Sequence, residues 1–329
     1  MHTPDASRVP PSSARFFLSA QHRLMAENRN LSEHILNFRS FALIHTHACH
    51  NGICQPAAEI RLSPFQTGLL SGWGLFSTLR IYQGVPFALE DHLERLEQDA
   101  RILRMDISEW RPRVEDIFRE LIAANAAREA MARLYFIRNR GGLLDFPGQR
   151  PTDLLLFTAD LKNWGASARL KLLPHGRDSR APLAGTKTLT WAHNLVMLET
   201  AAAEGYDDCL LLNERGELAE CTSANIFIVR QGALLTPPLD SGALPGVSRK
   251  RLLQLAGKAG VTVRETALRP EDLDTADEVF ISSSTRELQR VSQIDDKPLA
   301  GAGPGLPRLQ KLLTADIEAY TRLHQNHPS

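Results

Sequence analysis

The sequence predicts an α/β (α+β) fold in two domains, a small N-terminal α+β domain followed by a larger C-terminal mixed α/β domain. Three observations predict it. The first half carries strand-like hairpins around two amphipathic helices. The second half alternates short apolar runs, helical stretches and Gly-marked turns. Between them lies a polar segment, "DLKNWGAS", that reads as a linker. The division is therefore an extension over 1–40, a domain over 41–160, a linker over 161–167 and a domain over 168–329. A chain of 329 residues suffices for two domains and buries a core without disulfides or a structural metal.

The elements follow in order. Residues 1–13 are rich in Pro and Ser and have little to bury, so disorder is expected. Ala14 to Phe38 alternates at loosely helical spacing, and Met25 is an alternative start. "FALIHTHACHNGICQP" predicts two strands around a turn at Asn51-Gly52. "GLFSTLRIYQGVPF" gives strand, turn at Gly84 and strand, and the helix after it places Leu93, Leu96, Ala100 and Leu103 on one face. A second helix covers Pro112 to Ala127, before strands at "ARLYFIRNRGG" and "TDLLLFTA". Beyond the linker come a strand at "ARLKLLP" and a helix from Trp191 to Glu204 stopped by Gly205. A run of strands from Asp208 to Pro238 follows, then a helix from Ser248 to Ala259 and strands at "TVRETAL" and "EVFISSS".

Composition narrows the function classes. Lys+Arg and Asp+Glu balance at 38 each, so no global field draws the chain to nucleic acid or an anionic membrane. No apolar run has the length to cross a bilayer or serve as a signal sequence. Four scattered cysteines do not make a disulfide scaffold, and a cytoplasmic location is expected.

Four features of the second half can build one site. Lys187, in "GTKTLTWAHN", reads either as a solvated loop lysine or as a Schiff-base lysine whose pocket lowers its pKa. Glu220, in "ELAECTSANIF", is either a structural carboxylate at a strand end or the partner of a buried cation such as a protonated pyridine nitrogen. "GALPGVSRKRLLQLA" runs a loop into a helix, so Ser248 is either a plain N-cap or part of an anion cup. The hydroxyls of "ISSSTREL" add donors for the same anion.

In this order and spacing, together with "GLFSTLR", "DHLERL", "RNRGG" and "TPPLDSGALPGVSR", these pieces resemble the class IV, fold-type IV family of pyridoxal-phosphate enzymes. That family holds branched-chain and D-amino acid aminotransferases, (R)-amine transaminases and aminodeoxychorismate lyases. The resemblance runs from about His50 to Asp295. It implies that Lys187 carries pyridoxal 5'-phosphate and moves the proton, and that Glu220 pairs with the ring nitrogen. It implies a phosphate site made by Arg80, the Val247 N–H, Ser248, Ser284 and Thr285, with Asn225 also at the cofactor. Arg140 falls where relatives hold a substrate carboxylate, and reads equally as a surface arginine at a turn. A homodimer with a small-molecule amino acid or oxo acid substrate is implied.

The reaction expected first is amino transfer from an amino acid or amine to a 2-oxo acid. Aminodeoxychorismate lyase chemistry is the alternative, because Ser77 stands where many aminotransferases have Glu and lyases have a small hydroxyl residue. A non-catalytic homologue is a remote third. "YFIRNRG" in place of "YIRP" argues against a standard branched-chain enzyme, and Thr190 stands where many relatives have Asn. His45, His47, Cys49, His50 and Cys54 cluster suggestively, but they match no zinc signature and no metal is expected. His92 and His193 read as packing and surface residues.

Overall fold

Leu75, Leu79 and Ile81 alternate with Phe76, Thr78 and Arg80 along β3 (Gly74–Tyr82), and this alternation gives the first sheet one covered and one open face. The computed structural model describes residues 42–141, 148, 150–299, 301 and 303–325, so the expectations for residues 1–40 lie outside it. The sheet runs β2 (Ile53–Pro56), β1 (Ile44–His50), β6 (Thr152–Ala159), β5 (Ala130–Arg138), β3 and β4 (Val85–Pro86). Every pairing in it is antiparallel.

A short helix, α1 (Thr67–Ser71), precedes β3. Two longer ones, α2 (Leu89–Ile102) and α3 (Val114–Ala124), cover one face. Leu93, Leu96, Ala100 and Leu103 do share a buried stripe, packed with Trp110, Phe118 and Leu134. Each such leucine contributes about 1.5–3 kcal/mol of hydrophobic stabilisation.

The predicted hairpin turn forms, with Asn51 and Gly52 both at positive φ, the backbone that a two-residue turn of this hand requires. Cys49 and Cys54 face each other across that hairpin and are disulfide-bonded. The reading of the cysteines as scattered is corrected for these two. The strand pairing, not the count, decides it, and the cysteine count no longer argues for a reducing compartment.

The second sheet runs β12 (Val263–Glu265), β11 (Ala233–Thr236), β10 (Asn225–Arg230), β13 (Glu278–Ser283), β14 (Glu287–Ile294), β7 (Ser167–Leu173), β8 (Asp208–Leu212) and β9 (Leu218–Cys221). It is mixed: β11–β12, β14–β7 and β7–β8 are parallel. β15 (Lys297–Pro298) pairs with β14. Residues 160–166 connect the two sheets.

Helix α4 (Ala192–Ala203) packs Met197 and Ala201 against Cys209 and Leu211. Helices α5 (Val247–Lys258) and α6 (Gly305–Gln325) share a core with Phe227, Phe280 and Leu288, while Ile226, Ile228, Val279 and Ile281 fill the other face. Helix α6 is not among the expected elements, although Leu309, Leu313 and Ile317 recur at four-residue spacing. Among the described residues no helix is long and apolar enough to cross a membrane.

Candidate active site

Lys187 lies on the connection between β7 and α4, yet the first sheet holds it. Phe76 N–H donates to its carbonyl at 3.1 Å, and Leu189 N–H donates to the Gly74 carbonyl at 2.9 Å. Thr188 thereby bridges Leu75 as a short added strand beside β3. Glycine at 74 permits the approach, since a Cβ there would stand 2.5 Å from both Leu189 Cδ1 and the Phe136 carbonyl oxygen. The third tie comes from α2, where Asp99 Oδ2 accepts the Lys187 N–H at 3.2 Å.

The Lys187 amine lies 4.5 Å from the centre of the Phe76 ring. Trp191 meets that ring edge-on and Tyr135 stacks on it. Burial, then the positive charges of Arg95, Arg133 and Arg177, lower the lysine pKa to about 7, with Glu220 opposing them. Such a lysine is half uncharged near neutral pH.

A buried polar chain lies behind β3. His92, Arg95 and Asp99 recur at helical spacing on the inner side of α2, each almost fully buried. Arg95 donates to Ser77 Oγ at 2.8 Å, and Ser77 Oγ lies 2.7 Å from His92 Nδ1. Because the arginine can only donate, Ser77 Oγ accepts from it, and the serine O–H stays available to His92 Nδ1. Burial, Arg95 and Lys187 hold His92 far below its ordinary range, in keeping with a neutral ring. The "DHLERL" helix thus reaches the site, which the sequence reading did not anticipate.

Glu220 is buried on β9. Arg177 Nε donates to Oε1 at 2.9 Å and the Leu244 N–H to Oε2 at 3.0 Å, while Arg177 also donates to Asn194 Oδ1 at 3.0 Å. Its partner is thus an arginine, and each carboxylate oxygen retains a lone pair for one more donor.

The loop of Leu244 leads into the start of α5. Gly246 occupies the N-cap, no side chain caps the helix, and Val247 and Ser248 are its first residues. Asn225 steadies this loop by donating to the Leu244 carbonyl at 2.9 Å, and a Cβ at Gly246 would come within 2.1 Å of Asn225 Oδ1. Ser284 and Thr285 sit half-buried in the turn between β13 and β14. Arg80, on the open face of β3, approaches Glu287 just beyond that turn at 3.6 Å and Glu129 at 3.8 Å. Its Nε is buried with no acceptor among the described residues. A cavity of about 580 Å³ beside it is lined by Tyr82, Glu129, Glu287 and α6, and by neither Lys187 nor Glu220.

The two expected substrate residues differ in setting. Ser77 is fully buried on the helix-covered face, because strand alternation turns it away from Phe76 and Lys187. Arg140 is exposed in the turn after β5, where its carbonyl accepts from Arg138 Nε at 2.7 Å. The histidines of the first hairpin are spread out: His45 bonds Thr158 and Asp160, and His50 contacts Asp153. Among the described residues no group of three or more His, Cys, Asp and Glu is arranged for a metal. His193 is exposed, and Cys221 points into the core of the second sheet.

A lysine of lowered pKa, a buried carboxylate and an uncapped helix start fit a cofactor bearing an aldehyde, a basic ring nitrogen and a phosphate, while Arg80, in contact with Glu129 and Glu287, keeps a buried Nε with no acceptor among the described residues. Comparison with known proteins agrees. Residues 74–294 match the family described as amino-transferase class IV. The chain is 32% identical over 253 residues to a putative branched-chain-amino-acid aminotransferase of Methanocaldococcus jannaschii, spanning 75% of this chain and 87% of that protein. The branched-chain-amino-acid aminotransferase of Escherichia coli is 29% identical over 269 residues, with 75% and 86% covered. The structure of a T.th. branched-chain amino acid aminotransferase with pyridoxamine 5'-phosphate has a TM-score of 0.76 at 26% identity, covering 83% of this chain and 95% of that one. The chain belongs to the class IV aminotransferase family, whose cofactor is pyridoxal phosphate.

Proposed function

We propose that this chain transfers an amino group from an amino acid or amine to a 2-oxo acid, with Lys187 as the residue that binds pyridoxal phosphate covalently. The observation that carries the reading is the clamped lysine, fixed by Asp99 and Phe76 through its backbone and held to a pKa of about 7. Bound pyridoxal phosphate supplies a conjugated ring that accepts the electron pair left when a proton leaves the donor's Cα.

The chain's own groups supply the rest. Lys187 Nζ would take the Cα proton of the donor and return it. Glu220, ion-paired with Arg177, would hold a proton on the ring nitrogen. Arg80, the Val247 N–H, Ser248, Ser284 and Thr285 would hold the phosphate, and Asn225 keeps their loop in place. Phe76, Tyr135 and Trp191 form an apolar wall that excludes water and fits an apolar side chain. The names of the two relatives make branched-chain donors the first to test. Ser77, already bonded to His92 and Arg95, offers no hydroxyl to the open face, which favours transfer over the lyase reading. A homodimer is part of the proposal, supported by Phe65, Leu69 and Leu70, which are 57–60% exposed near α1.

The test is the visible spectrum of the pyridoxal-phosphate-loaded protein with L- and D-amino acids in turn. Bleaching to the pyridoxamine form with any donor, reversed by a 2-oxo acid, is the expected result. A spectrum unmoved by every donor, with pyruvate released from aminodeoxychorismate, would replace transfer by the lyase reaction.

A further inference from the structure

Arg133 stands at the centre of the open face of the first sheet. On β5 it is in register with Thr78 of β3 and Phe157 of β6. Alternation groups it with Phe76, Arg80 and Tyr135 and opposite Leu134, which belongs to the helix-covered core. Its guanidinium carbon lies 5.8 Å from the centre of the same Phe76 ring that Lys187 Nζ approaches to 4.5 Å.

The only hydrogen bond described for its side chain runs from Nη1 to the Tyr135 hydroxyl at 3.2 Å. Nε is buried without an acceptor, and among the described residues no carboxylate pairs with the group. A half-buried cation walled by Phe76 and Tyr135 is poorly solvated, so an anion arriving with a ligand would be bound strongly there.

We propose that Arg133 binds the carboxylate of the substrate, so that the site takes α-amino acids and 2-oxo acids rather than simple amines. The inference rests on the assignment of Lys187 as the cofactor-binding residue. It differs from the expectation for Arg140, which lies in an exposed turn. The fork of the guanidinium matches a carboxylate in two parallel hydrogen bonds, and Nε is one of the donors such a pair uses. Arg133 on the Lys187 side of the sheet would then orient the donor's Cα toward the lysine amine.

The test compares leucine of either hand with 3-methylbutylamine, which is leucine without its carboxylate. Wild type, Arg133→Leu and Arg133→Lys are each loaded with pyridoxal phosphate. In Arg133→Leu, KM for the reactive hand of leucine is expected to rise about 100-fold, with a smaller fall in kcat. Arg133→Lys is expected to recover part of that loss. Wild type is expected to use 3-methylbutylamine far less well than leucine, a comparison that holds even if Arg133→Leu does not fold. An unchanged KM in Arg133→Leu, or equal use of amine and amino acid by wild type, overturns the proposal. So does a wild type that reacts with no amino acid of a wider panel. Borohydride-fixed cofactor on Lys187 is measured in the same samples. Full attachment with unchanged KM rejects Arg133 alone, whereas no attachment in wild type rejects the assignment of Lys187.

Discussion

The carboxylate of Asp99 accepts the backbone N–H of Lys187 at 3.2 Å, so a helix of the first half of the chain fixes the backbone of Lys187 in the second. Asp99 is also one helical turn from Arg95, whose charge disfavours a second positive charge on the lysine. Helix α2 therefore contributes to both the backbone position and the protonation state of Lys187.

Lys187 ordinarily titrates at 10.5 and is held to about 7 here. Its uncharged fraction grows as pH rises through about 7, so capture of pyridoxal phosphate by the apoprotein should accelerate through that pH and then level off. Between about 7 and 10.5 the unfolded chain binds this proton and the folded chain does not, so this lysine makes stability rise with pH across that window. Arg95→Met should move the midpoint of capture upward. Stopped-flow absorbance over pH 5.5 to 10 checks both statements, and a flat wild-type profile would contradict them.

Glu220→Ala removes the acceptor of Arg177 Nε and of the Leu244 N–H. It should cost about 2 kcal/mol in chemical denaturation, since charged hydrogen-bond partners in a mostly buried setting lose that much when orphaned. Glu220→Gln, similar in shape, should keep most of the stability yet lower turnover, separating structure from chemistry.

Gly246→Ala places a methyl group against Asn225 Oδ1 and pushes on the loop that opens α5. Pyridoxal phosphate affinity should fall about tenfold with the loss of one charge-assisted bond, read by fluorescence titration. Gly257→Ala, on the same helix where no heavy atom stands within 4 Å of the new Cβ, should leave affinity unchanged.

The Cys49–Cys54 bridge leaves Cys209 and Cys221 as the free thiols. Thiol titration in denaturant without reductant should therefore find two of the four. Closing so short a loop contributes about 2 kcal/mol by the chain-entropy account, so reductant should lower the denaturation midpoint slightly.

Much of this was legible in the sequence because local rules dominate where they acted. The Asn51-Gly52 hairpin, the apolar stripe of α2 and the helix ended by Gly205 follow from backbone preference and periodicity. The motif order also led to Lys187, Glu220 and Ser248. What it hid depends on which face of a strand a residue takes. Ser77 and Arg133 lie on opposite sides of the first sheet, and only the register of β3 with β5 tells them apart. The tie from Asp99 to Lys187 spans 88 positions in sequence and leaves no local pattern. The Cys49–Cys54 pairing was within reach, since a two-residue turn at Asn51-Gly52 sets those positions opposite each other.

The central claim is that Lys187 is the residue on which the cofactor chemistry turns, and peptide mapping tests it most directly. The apoprotein is incubated with pyridoxal phosphate, reduced with borohydride, digested and read by mass spectrometry. The predicted result is a single stoichiometric pyridoxyl adduct on the peptide containing Lys187, absent from Lys187→Ala, which should also lose at least about 10³-fold in turnover. Adducts scattered over exposed lysines, or one retained by Lys187→Ala, would contradict it.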